Sequence, residues 1–167
     1  MFSKENPFEN PAANTSISAG LRNLTLLTII GSIVAILSAG WSFATAKKSY
    51  ESLRDALESG AYNSAPSWIK SMLSPELLET TKKMYENRFP ILLVGVLGSV
   101  LCLVGALDMR KRLQQGYWLW VAGEFLPVIL MFILIGPSAF AGWSSIGVVF
   151  PLLFLILYTI RRKELNH

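Results

Sequence analysis

The sequence predicts an all-α, polytopic membrane protein whose four transmembrane helices pack as a bundle. The 167 residues are 52% hydrophobic and only 16% charged, whereas about a quarter of the residues in a soluble domain are charged. The mean hydropathy of the chain is positive, at +0.45. Four separate stretches are apolar over about 20 residues each, the length that a helix needs to cross a bilayer core of about 30 Å.

The first predicted span covers about residues 24–45 and follows a polar segment. Residues 1–20, "MFSKENPFENPAANTSISAG", are rich in Asn, Ser and Pro and predict a flexible tail. Residues 21–167 are expected to form a single membrane domain. The "ATA" at residues 44–46 has the small-x-small form of a signal-peptidase site. A retained span is favoured over cleavage, because the apolar region is long and begins after the polar tail.

The other three predicted spans cover about residues 90–107, 117–136 and 140–160, and short connections join them in turn. The connection "DMRKRLQQG" at residues 108–116 holds three basic residues, and "PSAFAG" at residues 137–142 holds none. With an even number of spans, eight Lys and Arg fall on the side of the termini and seven in the long loop. Basic residues concentrate in cytoplasmic loops. We therefore expect both termini in the cytoplasm, with the bilayer of a bacterial cytoplasmic membrane as the surrounding medium.

The loop at residues 47–88 is predicted to contain two or three short amphipathic helices. In "SYESLRDALESG" the apolar residues Tyr50, Leu53 and Leu57 recur on one helical face. In "SPELLETTKKMYENR" Ser74 suits the position before a helix and Pro75 suits its first turn. The segment "SAPSWIKSML" between them suits a short turn or helix. A cap that packs on its own bundle is favoured, and a surface for a partner is the alternative.

Small residues in the first two spans predict where helices approach one another closely. Helices in lipid have no hydrophobic reason to associate, so contacts form where small side chains let backbones meet. We expect contacts between spans one and two, and contacts between protomers of a homo-oligomer are the alternative. The predicted contact residues are Gly31, Ala35, Ala39, Gly95, Gly98, Ser99 and Cys102.

Glu124 is the only charged residue in the four predicted spans, and it lies next to a helix irregularity. The third span reads "GEFLP" and the fourth "GVVFP", so a glycine precedes each proline by four residues. Pro127 and Pro151 have no N–H to donate to the carbonyls of Gly123 and Gly147. Each pair therefore predicts a kink and a freed carbonyl group.

Three interpretations of Glu124 follow from its position inside hydrocarbon, and one of them is a contact with a lipid or a partner. Ionisable groups within spans mark functional sites by default, which makes Glu124, Gly123 and Pro127 a candidate site for handling a proton or a cation. The structural interpretation is a neutral glutamic acid that bonds a serine of a neighbouring span or reaches the headgroups. The candidate serines are Ser32, Ser38 and Ser99.

The sequence offers little support for an enzyme. Cys102 is the only cysteine and His167, the last residue, is the only histidine. A disulfide within the chain and a cysteine metal cluster are thereby excluded. We expect no catalytic residue, no cofactor and no metal ligand, and we find no nucleic-acid-binding motif.

The favoured function is that of a non-catalytic accessory or scaffolding protein, with other membrane subunits or a second copy as partners. The alternative is a small oligomeric transporter or channel that uses Glu124 for proton or cation coupling. The alternative requires further polar side chains facing Glu124.

Overall fold

The computed structural model describes residues 17–60, 66, 74–140 and 146–165, with the side chains of residues 146–148 left aside. Within this part of the chain every element is helical and no strand occurs. We number the five α-helices in chain order: α1 Ala19–Glu58, α2 Pro75–Glu86, α3 Arg88–Arg110, α4 Gln114–Leu134 and α5 Ile146–Arg161. Short 3₁₀ helices cover Pro137–Phe140 and Arg162–Glu164.

Three of these helices, α1, α3 and α4, are long and apolar enough to cross a membrane. Their outer surfaces carry large apolar side chains such as Leu37 and Ile133, which are 69% and 70% exposed. Such surfaces suit a surrounding of lipid tails. Of the predicted fourth span, residues 141–145 lie outside the described part. Helix α5 itself has 16 residues, a length of about 24 Å.

Helix α1 is one continuous helix of 40 residues, which corresponds to about 60 Å. The prediction of a separate helix after residue 47 is therefore wrong, because α1 passes through this point without a break. The physical reason lies in the sequence between Gly40 and Gly60, which contains neither Pro nor Gly. Nothing interrupts the backbone hydrogen bonds where the chain leaves the apolar region. The predicted turn or helix at residues 64–73 falls outside the described residues, apart from Pro66.

The end of α1, residues 46–58, pairs with α2 to form what we call the arm. Ser74 accepts a hydrogen bond from the Leu77 N–H at 3.1 Å, so α2 begins with a side-chain cap. The rings of Tyr50 and Tyr85 stack with centroids 5.8 Å apart and planes 4° apart. The arm extends about 20 Å beyond the predicted first span at 1.5 Å per residue.

Helices α3 and α4 form a tight antiparallel hairpin built on two pairs of glycines. A Cβ atom added to Gly105 would lie 2.6 Å from the Gly116 carbonyl oxygen, and one added to Gly116 would lie 2.6 Å from that of Gly105. Gly98 and Gly123 show the same reciprocal approach, at 2.6 and 2.5 Å. Any side chain would push the two backbones apart, so the glycines set the register of the hairpin.

The beginning of α1 and the end of α5 lie together, and the buried core is concentrated at this end of the bundle. The guanidinium of Arg161 lies against Gly20, and Ser18 hydrogen-bonds the carboxylate of Glu164. The core residues at this end are Leu21, Cys102, Met109, Tyr117, Trp120, Tyr158 and Leu165. Towards the opposite end the helices leave open space between them.

Three aromatic residues near the ends of the predicted spans, where such rings favour the headgroup layer, are buried instead. Trp120 and Tyr158 are each 1% exposed, and Tyr117 is 6% exposed. The rings of Trp120 and Tyr158 pack with their centroids 4.7 Å apart. Trp120 lies between Gly116 and Gly123, the two glycines of α4 that contact α3, and its ring is buried in the bundle.

Candidate functional site

Glu124 lies near the middle of α4, about 15 Å along the axis from Gln114 at 1.5 Å per residue. Its side chain is half-buried. The thiol of Cys102, on α3, donates a hydrogen bond to Glu124 Oε2 with an S–O distance of 3.4 Å. The same sulfur lies 3.7 Å from the carbonyl oxygen of Trp120. Cys102 therefore acts as a polar neighbour of Glu124 as well as a small packing residue.

A cavity of about 380 Å³ opens beside Glu124, between helices α1, α3, α4 and α5. Its polar lining combines the Glu124 carboxyl and the Cys102 thiol with the hydroxyls of Thr28, Ser32 and Ser99. Its volume falls at the lower end of the range for small-ligand pockets. Polar groups from three different helices therefore converge on one space near mid-membrane.

The serines expected to bond Glu124 bond their own helices instead. Ser32 donates to the Thr28 carbonyl and Ser99 to the Gly95 carbonyl, both at 2.8 Å. Each hydroxyl oxygen keeps lone pairs that can accept from a ligand in the cavity. Ser38, the third candidate, lines a neighbouring groove rather than this cavity.

The Gly123–Pro127 irregularity forms one wall of the cavity and also the closest contact with α3. The Gly123 carbonyl, which Pro127 leaves without its helical donor, faces the Gly98 backbone. The hydrogen that Gly98 carries in place of a Cβ points towards this oxygen, an arrangement typical of weak C–H···O bonds between helices. Helix α4 continues through Pro127, and the bend expected there stays a prediction.

Helix α5 supplies the fourth wall of the cavity. Pro151 is buried and lines the cavity together with Phe150 and Phe154. Gly147 lies within α5, which continues through Pro151. The two predicted irregularities therefore meet at the same space, since Pro127 and Pro151 both line it. Nothing in the sequence indicates that the two prolines lie together.

Sequence reasoning missed a set of hydroxyls on the termini side of the cavity. The Tyr158 hydroxyl lies 2.7 Å from that of Thr28, and Arg110 donates to Thr25 Oγ1 at 3.1 Å. Both threonines are buried, at 8% and 0% exposure. A signal was present, because Thr25, Thr28 and Ser32 are spaced three and four residues apart and so share one face of α1.

The small residues predicted to pack helices together fall into two groups. Gly98 and Cys102 face α4 rather than α1, because the glycine pairs fix the α3–α4 register. Gly95 lies opposite Ala39 of α1, with 3.8 Å between a Cβ built on Gly95 and the Ala39 Cβ. Gly31 is exposed, and among the described atoms a Cβ there would meet nothing within 4 Å. Ala35 lines the cavity together with Gly31 and Ser99.

Electrostatically, Glu124 is isolated within the cavity. Among the residues that line this space, no Lys or Arg stands opposite the carboxyl. An unpaired carboxylate is costly in such surroundings, so the group is stable with a bound proton or with a cation beside it. No group of three or more His, Cys, Asp and Glu residues in the described part is arranged to hold a metal ion.

Comparison of the chain with family models, curated proteins and solved structures finds no match.

Proposed function

We propose that this protein is a small transporter whose Glu124 binds and releases a proton or a cation within the bundle. The observation that carries the proposal is the cavity in which Glu124 meets Thr28, Ser32 and Ser99. A transport role for Glu124 requires further polar side chains that face its carboxyl group. The cavity supplies these side chains. Irregular helices at mid-depth that line a cavity are typical of transporter binding sites.

The hydroxyls beyond the cavity extend its polar lining towards the end where the termini lie. Tyr158 and Thr28 form one hydrogen-bonded pair, and Thr25 and Arg110 form the next. Arg110 is the last residue of α3, at the boundary of the apolar region. This row of polar groups supports a route between Glu124 and the termini face.

The proposal includes a fourth crossing by residues 140–160, with both termini in the cytoplasm of a bacterial cell. Helix α4 ends away from the point where α1 begins, whereas α5 ends beside Gly20. This arrangement supports a return of the chain across the bundle. Three basic residues at the end of α5 and three in the α3–α4 connection share the termini side, as expected for a cytoplasmic face.

Flux measurements in reconstituted vesicles test the role of Glu124. Glu124→Gln keeps the size and hydrogen-bonding capacity of the side chain but cannot carry the charge. We expect it to reduce proton- or cation-driven flux to the level of empty vesicles, and we expect Glu124→Asp to retain part of the flux. Glu79→Gln is the matched control, because Glu79 is an exposed residue of the arm. Wild-type flux in Glu124→Gln, or no flux in the wild type, would refute the proposal.

The arm favours a second candidate function, that of an accessory protein which docks another membrane subunit or a second copy. A rigid helical pair that projects beyond the membrane offers a surface outside the lipid. Co-purification in mild detergent separates the two candidates when the variants Lys48→Glu and Glu124→Gln are compared. An accessory role predicts that Lys48→Glu releases the bound subunit while Glu124→Gln retains it, since Lys48 is exposed on the arm.

A further inference from the structure

A second open space lies on the arm side of the Glu124 cavity. This groove has a volume of about 510 Å³ and runs between α1, α2, α3 and α4. Ala35 and Pro127 line both the groove and the cavity, so the groove begins beside the Glu124 site. In the other direction it passes Arg88, the first residue of α3, and reaches Ser49 and Thr81 on the arm.

The deep part of the groove has apolar walls suited to a hydrocarbon chain. Leu92 and Val94 of α3 and Leu130 and Met131 of α4 face it. Ala39 and Gly95 also line the groove, and their small size leaves its volume free. The groove follows the direction of the helices, as an acyl chain in the surrounding bilayer does.

The mouth of the groove carries a positive charge that is held in place. The Arg88 guanidinium carbon lies 4.7 Å from the centre of the Tyr85 ring and 5.5 Å from that of Phe43. These cation–π contacts fix the guanidinium at the level where the span begins. Among the described residues that line the groove there is no Asp or Glu. Hydroxyls of Ser42, Thr45 and Ser49 line the same wall of α1.

We propose that this groove binds an anionic phospholipid of the membrane, with the phosphate on Arg88 and one acyl chain between α1, α3 and α4. Charge complementarity identifies the occupant, because a fixed guanidinium without a lining carboxylate is matched by an anionic headgroup. A guanidinium binds a phosphate through paired N–H donors. Basic pockets between transmembrane helices bind anionic lipid headgroups in the same way. The site is separate from Glu124 chemistry and requires no transport.

Lipid binding by the purified full-length chain tests the proposal. Detergent-solubilised protein is titrated with phosphatidylglycerol or phosphatidylcholine, and bound lipid is counted by native mass spectrometry. We expect the anionic lipid to bind more tightly. Arg88→Gln should weaken its binding about tenfold, the loss of one charged hydrogen-bonding partner, and Arg88→Lys should weaken it less. Arg161→Gln, at the opposite end of the bundle, should leave binding at this site unchanged.

A steric variant tests the groove independently of charge. Ser42→Phe fills the groove, whereas Leu37→Phe places the same ring on an outward-facing position. We expect Ser42→Phe to exclude the phospholipid while Leu37→Phe binds as the wild type does. Equal binding of both lipids, or an unchanged affinity in both Arg88→Gln and Ser42→Phe, would overturn the proposal. Binding of free inorganic phosphate with the affinity of the phospholipid would show that the groove takes no acyl chain, and would also overturn it.

Discussion

At the scale of single residues, the four glycines of the α3–α4 hairpin are the positions where the structure tolerates no side chain. Each of the four brings a backbone carbonyl of the opposite helix to within 2.6 Å of where a Cβ would stand. Backbone cannot move aside as a flexible side chain can. The two helices must therefore separate when any of these glycines gains a side chain.

We predict that Gly105→Ala destabilises the protein by about 1–3 kcal/mol, the usual cost of overpacking a close contact. The melting temperature in detergent should fall by several degrees. Gly40→Ala is the matched control, since a Cβ at Gly40 meets no described atom within 4 Å. Its melting temperature should stay the same or rise slightly, because alanine favours a helix over glycine. Equal melting temperatures for Gly105→Ala and the wild type would contradict the close contact.

Glu164 makes the stability of the fold depend on pH at the point where the beginning of α1 meets the end of α5. The hydrogen bond from Ser18 holds the pKa of this carboxyl below its ordinary value of 4.5, and Arg161 lowers it further. The Arg161 guanidinium lies 3.1 Å from Glu164 Oε1. Since the unfolded chain binds the proton more readily, this contact stabilises the fold above pH 4.5. The stabilisation is lost as the pH falls through the lowered pKa.

Melting curves of the wild type and Glu164→Gln between pH 7 and pH 3 measure this contribution. We expect the wild type to be more stable by about 1 kcal/mol at neutral pH. The difference between the two proteins should shrink towards zero at the acid end. A difference that grows on acidification would contradict the assignment of Ser18 and Arg161 as partners of the ionised form.

Glu124 could be singled out from the sequence, but the residues that surround it in the cavity could not. Glu124 stood out because a charge in an apolar span is costly, and this argument needs no tertiary structure. Its neighbour Cys102 lies 22 residues earlier on a different helix. The contact between the two side chains depends on the register of the α3–α4 hairpin. Register follows from the glycine pairs, which the sequence shows as small residues without naming their partners.

At the scale of the elements, the arm is the feature that carries α1 beyond its apolar region. Its stacked tyrosines connect α1 and α2. Arg88 continues the same cluster by contacting Tyr85 and Phe43. The arm is therefore fastened through aromatic contacts at its membrane end.

We predict that Tyr85→Ala loosens the arm without unfolding the bundle. An aromatic pair contributes about 0.5–1.5 kcal/mol beyond its buried area, and this pair links the end of α1 to α2. Amide hydrogen exchange in residues 46–58 should accelerate several-fold, while exchange in α3 and α4 stays unchanged. Lys48→Ala, an exposed position on the arm, serves as the control. Unchanged exchange in Tyr85→Ala would show that the stack does not hold the arm.

Helix lengths were only partly predictable from the sequence. The apolar stretches located α1, α3 and α4 because hydropathy measures what a bilayer requires. The start of α2 followed from Ser74 and Pro75, which form a local signal. The end of α1 was misplaced because polarity changes near residue 47 while helix propensity does not. A helix ends where its hydrogen bonds are interrupted, which here occurs after Glu58.

At the scale of the whole molecule, the proposed topology makes a direct prediction about reporter fusions in bacteria. Fusions after Arg112 and after His167 should give fluorescent protein that folds in the cytoplasm. A fusion after Pro66 or Gly136 should give active alkaline phosphatase, which requires export. Active phosphatase after His167 would contradict the fourth crossing. The reverse pattern at all four positions would contradict the proposed orientation.

The described contacts of α5 also have a consequence for how the Glu124 cavity exchanges its contents. Tyr158 contacts Trp120 and Thr28, and Thr159 contacts Tyr117, all in the second half of the helix. Phe150 and Pro151 wall the cavity nearer the other end. A helix held mainly at one end can swing at the other, and we expect the Phe150 end of α5 to move more than the Tyr158 end. Such a swing would open the cavity sideways into the acyl chains, so that hydrophobic solutes dissolved in the bilayer could enter without crossing either aqueous surface.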